Sequence, residues 1–308
     1  MSSLVSAIVP THDRPQMLKR AVRSIERQTY SPMELIVIGS PKTPNIGEFV
    51  TNASVEQTQY LDADASSPSA ARNLGIKNAN GEYLAFLDDD DEWLPSKTKE
   101  QLSRISETGT GVCHVGVKKI GPNGINSISQ PQTEGDVTKK LLENTGVYGT
   151  LSAMMVHRDL ATKVGGFDEH LTLCEDGDFN IRLSLHTEFS TISEALVNKY
   201  TGGHEQITDS IDIFYKDKEQ MINKHRGLAQ KFGEKTERKF LTKYMRGEGR
   251  RAANLGQYSK ARQAYLQALL EDPLQLQNWF WLLLVIAGPV SFKSARYVKR
   301  KVVRIVFE

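Results

Sequence analysis

The chain has little cysteine. Cys113 and Cys174 are the only two among 308 residues, far apart and without the close spacing of a zinc site or a disulfide framework. That scarcity points to a reducing compartment, with each thiol a small buried residue. An excess of charge of one sign is also lacking. Lys and Arg number 39 against 37 Asp and Glu, and the formal net charge of +2 is too near neutral to argue for nucleic acid as a partner. The apolar run Trp279–Ala287 halts at Gly288 and Pro289, short of the roughly 20 residues that a spanning helix needs. No basic leader precedes the first apolar segment, which ends in Pro10 and reads as a strand, not as a signal peptide. Together these features predict a globular chain on the cytoplasmic side, long enough for one large core and a smaller appendage.

What is present is an alternation. Leu4–Pro10 is a continuous apolar strand, and Leu18, Ala21, Val22 and Ile25 follow at the spacing of one helical face. Glu34–Gly39 and Thr58–Leu61 read as further strands, then a helix from about Pro68 to Asn78 and the strand Glu82–Leu87. Continuously apolar strands separated by helices predict parallel strands covered on both faces, hence an α/β fold. Ligands bind such sheets beyond the carboxyl ends of the strands. Pro10–Arg14, Gly39–Lys42 and Asp88–Glu92 all fall there and would line one crevice.

The last of these loops is the run Asp88-Asp89-Asp90-Asp91-Glu92. Such a row repels itself unless something neutralises it, and clustered hard oxygens suit a divalent cation such as Mg2+ or Mn2+. Residues two apart in a turn leaving a strand point the same way. Asp88 and Asp90 would then share a metal, or a metal and a ribose, while Asp89 and Asp91 point elsewhere or cap the next helix. A solvated acidic loop before Pro95 is the other reading. A second acidic group, Cys174-Glu175-Asp176-Gly177-Asp178, reads on its own as an acidic cluster that favours a helix N-terminus, with Glu175 and Asp178 as surface charges.

Three segments, VSAIVPTHDRP, SPSAARNLGIKNANGEYLAFLDDDDEWLP and VGGFDEHLTLCEDGDFNIRL, occur in that order and at separations that resemble the inverting family 2 glycosyltransferases of the GT-A fold, over roughly residues 4–205. The resemblance implies a Rossmann-like, mostly parallel sheet flanked by helices. It also implies a nucleotide-sugar donor, a glycan or lipid-linked acceptor, a divalent metal (Mg2+ or Mn2+) held through a D-x-D motif, and inversion at the anomeric carbon. The catalytic domain would cover residues 1–209, with a nucleotide-binding half to about 105 and an acceptor half beyond, followed by a helical extension over 210–308.

Carried over by position, the resemblance places Pro10, Thr11 and Arg14 beside the nucleotide, with Asp13 where the family often has asparagine. It places Arg72 and Asn73 near the donor, Asp88 on ribose or metal, and Asp90 on the metal. Asp176 matches the general base, Glu175 would orient acceptor or base, and Arg182 would pair with a carboxylate. One departure concerns the nucleobase. Many relatives carry an Asp-Asp pair after the second strand, where this chain has Gly39 and Ser40. Ser40 offers one hydrogen bond, and Asp62 or Asp64 would have to substitute for the rest. His204 resembles a late histidine of the family's acceptor or metal region, or is polar surface. The alternative to an active transferase is an inactive or partner-dependent sugar-nucleotide-binding relative acting through its helical C-terminal part.

Beyond about residue 210 the spacing is helical, with a turn at Leu255–Tyr258. The stretch that follows resembles the second helix of a tetratricopeptide hairpin, with Ala261, Tyr265, Ala268 and Pro273 at fitting offsets. A single unit implies a small helical appendage. The apolar Trp279–Ala287 and the basic run from Lys293 to Arg304 suit a membrane surface with anionic headgroups, or a buried helix followed by a basic one packed on the domain.

Overall fold

A computed structural model describes residues 2–39, 46–63, 65, 67–144, 150–201, 211–291 and 294. In chain order the elements are β1 (Val5–Thr11), α1 (Pro15–Glu26), β2 (Met33–Gly39), α2 (Ile46–Thr51), β3 (Gln57–Asp62), α3 (Pro68–Asn78), β4 (Tyr83–Phe86), β5 (Asp91–Trp93), α4 (Lys97–Thr108), β6 (Val112–Gly121), β7 (Gly124–Ser129), α5 (Thr138–Glu143), β8 (Met154–His157), α6 (Arg158–Lys163), α7 (Glu175–Ser184) and β9 (Phe189–Tyr200). The helices α8 (Ile211–Lys231), α9 (Glu234–Asn254), α10 (Tyr258–Glu271) and α11 (Leu276–Ile286) follow.

Two compact units result. The first comprises residues 1–137, 146–169 and 175–202; the second comprises 138–145, 170–174 and the chain from 203 onward. The second unit thus draws two short pieces from within the stretch that the sequence assigns to the first.

The first unit is a nine-stranded sheet in the order β3-β2-β1-β4-β8-β6-β9-β5, with β7 paired to β6. The pairs among β3, β2, β1 and β4 are parallel, as the strand–helix alternation predicts. From β8 onward the sheet is mixed: β4–β8, β6–β8, β6–β7 and β5–β9 are antiparallel, whereas β6–β9 is parallel. Every residue of β2 is buried, which is why its sequence shows no alternation. α1 begins with Pro15 at its first turn and buries Leu18, Ala21, Val22 and Ile25. α3 is capped by the Ser67 side chain, which accepts from the Ala70 N–H. Gly75 lets this helix lie close on the sheet, since a Cβ there would sit 2.5 Å from Ile8 Cγ2.

The second unit is helical. Gly256, at φ +76°, makes the turn between α9 and α10, and Ala261, Tyr265 and Ala268 are buried on α10 as the hairpin spacing predicts. Asp217 of α8 is fully buried, and its Oδ2 accepts from the backbone N–H groups of Thr172, Leu173 and Cys174.

Candidate active site

The parallel register sets β1 and β2 to end together, Thr11 opposite Gly39, while β4 runs beside β1 and delivers Leu87 and the acidic run at the same edge. There each carboxylate meets a cation or donor. Thr11 Oγ1 donates to Asp89 Oδ2 at 2.7 Å. Arg14 Nη1 lies 3.5 Å from Asp89 Oδ1 and 3.9 Å from Asp90 Oδ2. Arg20 donates to the Asp90 carbonyl at 2.6 Å and lies over the Tyr200 ring, and Arg27 pairs with Glu92 at 2.9 Å. β1 is buried through Val9, Pro10 and Thr11 are half-buried at its end, and Asp13 holds φ +50° in the turn before Arg14.

The expected alternation of the acidic run is met at Asp89, which turns to Thr11 and Arg14, but not at Asp91. One carboxylate oxygen each of Asp88, Asp90 and Asp91 lie within 4.8 Å of one another. The reason is β5, a strand of three residues that begins at Asp91 and pairs antiparallel with β9, placing Asp91 opposite Lys199. Asp91 is fully buried, accepts from Ser152 Oγ at 2.6 Å, and lies 3.6 Å from Lys199 Nζ. The same Nζ stands 3.7 Å from Asp88 Oδ2. Lys199 was invisible to sequence reasoning, because its role depends on a pairing between segments more than a hundred residues apart.

Arg72 links the two acidic groups. Its buried guanidinium donates to Asp88 Oδ1 at 2.7 Å and to Glu175 Oε1 at 3.3 Å, and lies over the Phe167 ring. Glu175 and Asp176 open α7, where the helix N-terminus favours negative charge. Asn73, next to Arg72, uses its amide on the loop before α7: it donates to the Phe167 carbonyl and accepts from the Phe167 N–H at 2.7 Å. Gly166, at φ +68°, makes room for that clamp, since a Cβ there would lie 2.4 Å from Asn73 Oδ1. Arg182 pairs with the buried Asp178 at 2.6 Å.

Electrostatics divide these carboxyls. Burial would raise Asp88, but Arg72 and then Lys199 outweigh it and hold its pKa below the usual carboxylate range. Burial pushes Asp91 up to about 7 against the pull of Lys199, and Asp89 up to about 6 against the Thr11 hydrogen bond. Burial also raises Asp176, opposed by Arg72, and carries Glu175 well above its ordinary value, with the Asp176 charge adding to the effect.

Asp88–Asp91, Glu175 and Asp176 therefore face Arg14, Arg72 and Lys199, an excess of carboxyl over cation. Asp91 Oδ1 is buried without a hydrogen-bond partner. Clustered hard oxygens, one of them orphaned, fit a divalent cation. Of the remaining candidates, Ser40, Asp64 and His204 lie outside the described residues. Gly39 is described: a Cβ on it would fall 2.9 Å from Tyr60 Oη, so the Tyr60 ring occupies the end of β2.

The profile of glycosyl transferase family 2 matches residues 6–165, a little over half of the chain. The chain belongs to glycosyl transferase family 2. That match includes Arg72 and the acidic run and ends before Glu175. Among relatives, the beta-1,3-glucosyltransferase WfgD of Escherichia coli, named for UDP-Glc and alpha-D-GlcNAc-diphosphoundecaprenol, is 30% identical over 155 residues, 49% of this chain and 60% of that protein. A glycosyltransferase of Rickettsia bellii is 32% identical over 142 residues, 45% of this chain, and the matched stretch spans only 21% of that longer protein. In fold, Staphylococcus aureus TarS 1–349 in complex with UDP-GlcNAc superposes with a TM-score of 0.62 at 16% identity, over 95% of this chain and 91% of that one. The GT-A expectation for the fold is met.

Proposed function

We propose that the chain is a metal-dependent inverting glycosyltransferase that moves a sugar from a nucleoside-diphosphate donor to a glycan or lipid-linked acceptor, with Asp176 as general base. The observation that carries this reading is the Arg72 bridge, which ties Asp88 of the acidic run to Glu175 beside the candidate base. Metal-type carboxylates and base thereby share one crevice. A divalent cation held by Asp88, Asp90 and Asp91 would supply Lewis-acid stabilisation to the departing diphosphate.

The rest of the chemistry falls to the chain's own side chains. Asp176 takes the proton of the attacking acceptor hydroxyl, and its raised pKa makes it a stronger base than an ordinary aspartate. Glu175, held by Arg72, orients base or acceptor. Thr11 and Arg14 fix Asp89 and thereby the shape of the loop that meets the donor. Arg72, always charged, keeps Asp88 ionised.

The named donors and acceptors of the relatives support a UDP-sugar and a phosphate-bearing acceptor, either on a polyprenyl carrier as for WfgD or on poly(ribitol-phosphate) as for TarS. A chain serving a carrier-linked acceptor would work peripherally at the cytoplasmic face of the membrane. Gly39 supports a second reading, a relative without donor binding, because the end of β2 is filled by Tyr60 where the family pattern has an aspartate.

The decisive variant is Asp176→Asn. Binding of UDP in the presence of Mn2+ should be retained while transfer falls by about 10²–10⁴-fold. A variant with unaltered transfer would remove Asp176 from the base role. Failure of the unaltered chain to bind any nucleoside diphosphate would favour the second reading.

A further inference from the structure

Helix α11 is apolar on two sides. Its inner side, with Leu282 and Val285, packs with Ala252, Ala253, Ala261 and Tyr265 of the second unit. Its outer side carries Leu276, Trp279, Phe280, Leu283 and Ile286, which recur at helical spacing and are exposed: Leu276 at 82%, Phe280 at 52% and Leu283 at 60%. Leu274, just before the helix, is 90% exposed. The helix carries no charged residue at all. Full burial of such a side chain supplies about 1.5–3 kcal/mol, of which each of these forgoes a part, and contiguous apolar patches of this kind mark an interaction surface.

The occupant follows from length and charge. An eleven-residue helix is about 16 Å long at about 1.5 Å per residue, half the roughly 30 Å of a hydrocarbon core. No described helix is long and apolar enough to cross a membrane. Gly288, at φ +96°, ends the run. In the sequence directly beyond it stand Lys293, Arg296, Lys299, Arg300, Lys301 and Arg304, with no acidic residue among them. Apolar surface bearing aromatics, followed by clustered basic residues, matches acyl chains beneath anionic headgroups, where each Lys or Arg contributes about 1 kcal/mol.

We propose that α11 lies in the plane of an anionic lipid surface, with Leu276, Phe280, Leu283 and Ile286 turned to the acyl chains and Trp279 at headgroup depth. This deepens the membrane reading above and rests on it. The test uses the full chain with vesicles of phosphatidylcholine alone or mixed with phosphatidylglycerol, read by co-sedimentation and by quenching of tryptophan fluorescence with brominated acyl chains. The unaltered chain should bind the anionic vesicles at least about tenfold more tightly than the neutral ones. Phe280→Glu and Leu283→Glu, both on the exposed face, should each lose at least about tenfold in vesicle affinity with an unchanged melting temperature.

If both variants bind as the parent does, the α11 face is not the contact, although the chain is still peripheral. Absence of any binding to anionic vesicles overturns the face and the membrane reading together. A dimer by light scattering that Leu283→Glu dissociates, with vesicle binding unchanged, would give this face to a second copy of the chain and overturn the proposal.

Discussion

The two units break the usual partition of polar and apolar groups in opposite ways. At the strand ends of the first unit, charge is buried: Asp91 is fully buried, and Arg72, Asp89 and Glu175 are nearly so. On α11 of the second unit, hydrocarbon is exposed. Burying carboxylates is costly unless cations and donors meet them, and exposing leucines forgoes burial energy. Under the two proposals above, each departure serves something other than stability: a charged ligand in one case and an apolar surface in the other.

The contrast is broken most severely at the base. With Asp176 as the proposed base, transfer in the unaltered chain should fall as pH drops, because the carboxyl must be unprotonated to accept a proton. Since burial raises its pKa, the acidic limb should lie above the ordinary aspartate value of about 3.9, and rate should rise with pH through that limb. In Asp176→Asn the limb should vanish with the activity; pH–rate profiles of both proteins check this.

Removing the cation at the centre of the crevice comes next. Arg72→Ala leaves the buried Glu175 and the half-buried Asp88 without their shared partner, and breaking a buried pair costs up to about 3–5 kcal/mol. Urea denaturation should show that loss. Arg72→Lys should recover part of it, since an ammonium keeps the charge but not the fork that spans both carboxylates.

Lys199→Gln sharpens the comparison in the other direction. Lys199 lies 3.6–3.7 Å from Asp91 and Asp88, so it stands against a divalent cation placed among the same oxygens. Its removal should tighten Mn2+ binding to the nucleotide-free protein by about tenfold, measured by titration calorimetry. Weaker binding would instead make Lys199 a support of the site. On the second unit the smallest effect is expected: Leu283→Glu should change folding stability by no more than about 0.5 kcal/mol, because its side chain already faces solvent.

Much of this was legible in the sequence. The parallel strands β1 to β4 and helix α3 follow from apolar runs, from Ser67 and Pro68 as a helix start, and from local spacing. The two acidic motifs stood out by composition, and the structure brings them together through Arg72. Long-range pairing was not legible. β5 is only three residues long and reads as part of an acidic loop, yet its register with β9 recruits Asp91 and Lys199 to the crevice. The antiparallel strands beyond β4 leave a weaker pattern than the parallel ones. The Asn73 amide bonds the backbone of Phe167, a contact that the sequence around Arg72 does not announce. Asp217, about forty residues downstream, holds three N–H groups just before Glu175, which no local motif announces.

The central claim is that the carboxylates after Leu87 grip a divalent cation together with a nucleoside diphosphate. Its most direct measurement is the affinity for Mn2+ with and without saturating UDP, in the unaltered chain and in Asp90→Ala. The account predicts that UDP and Mn2+ strengthen each other's binding in the unaltered chain and that Asp90→Ala abolishes this mutual effect. Equal Mn2+ affinity with and without UDP, or mutual strengthening that survives Asp90→Ala, would contradict it.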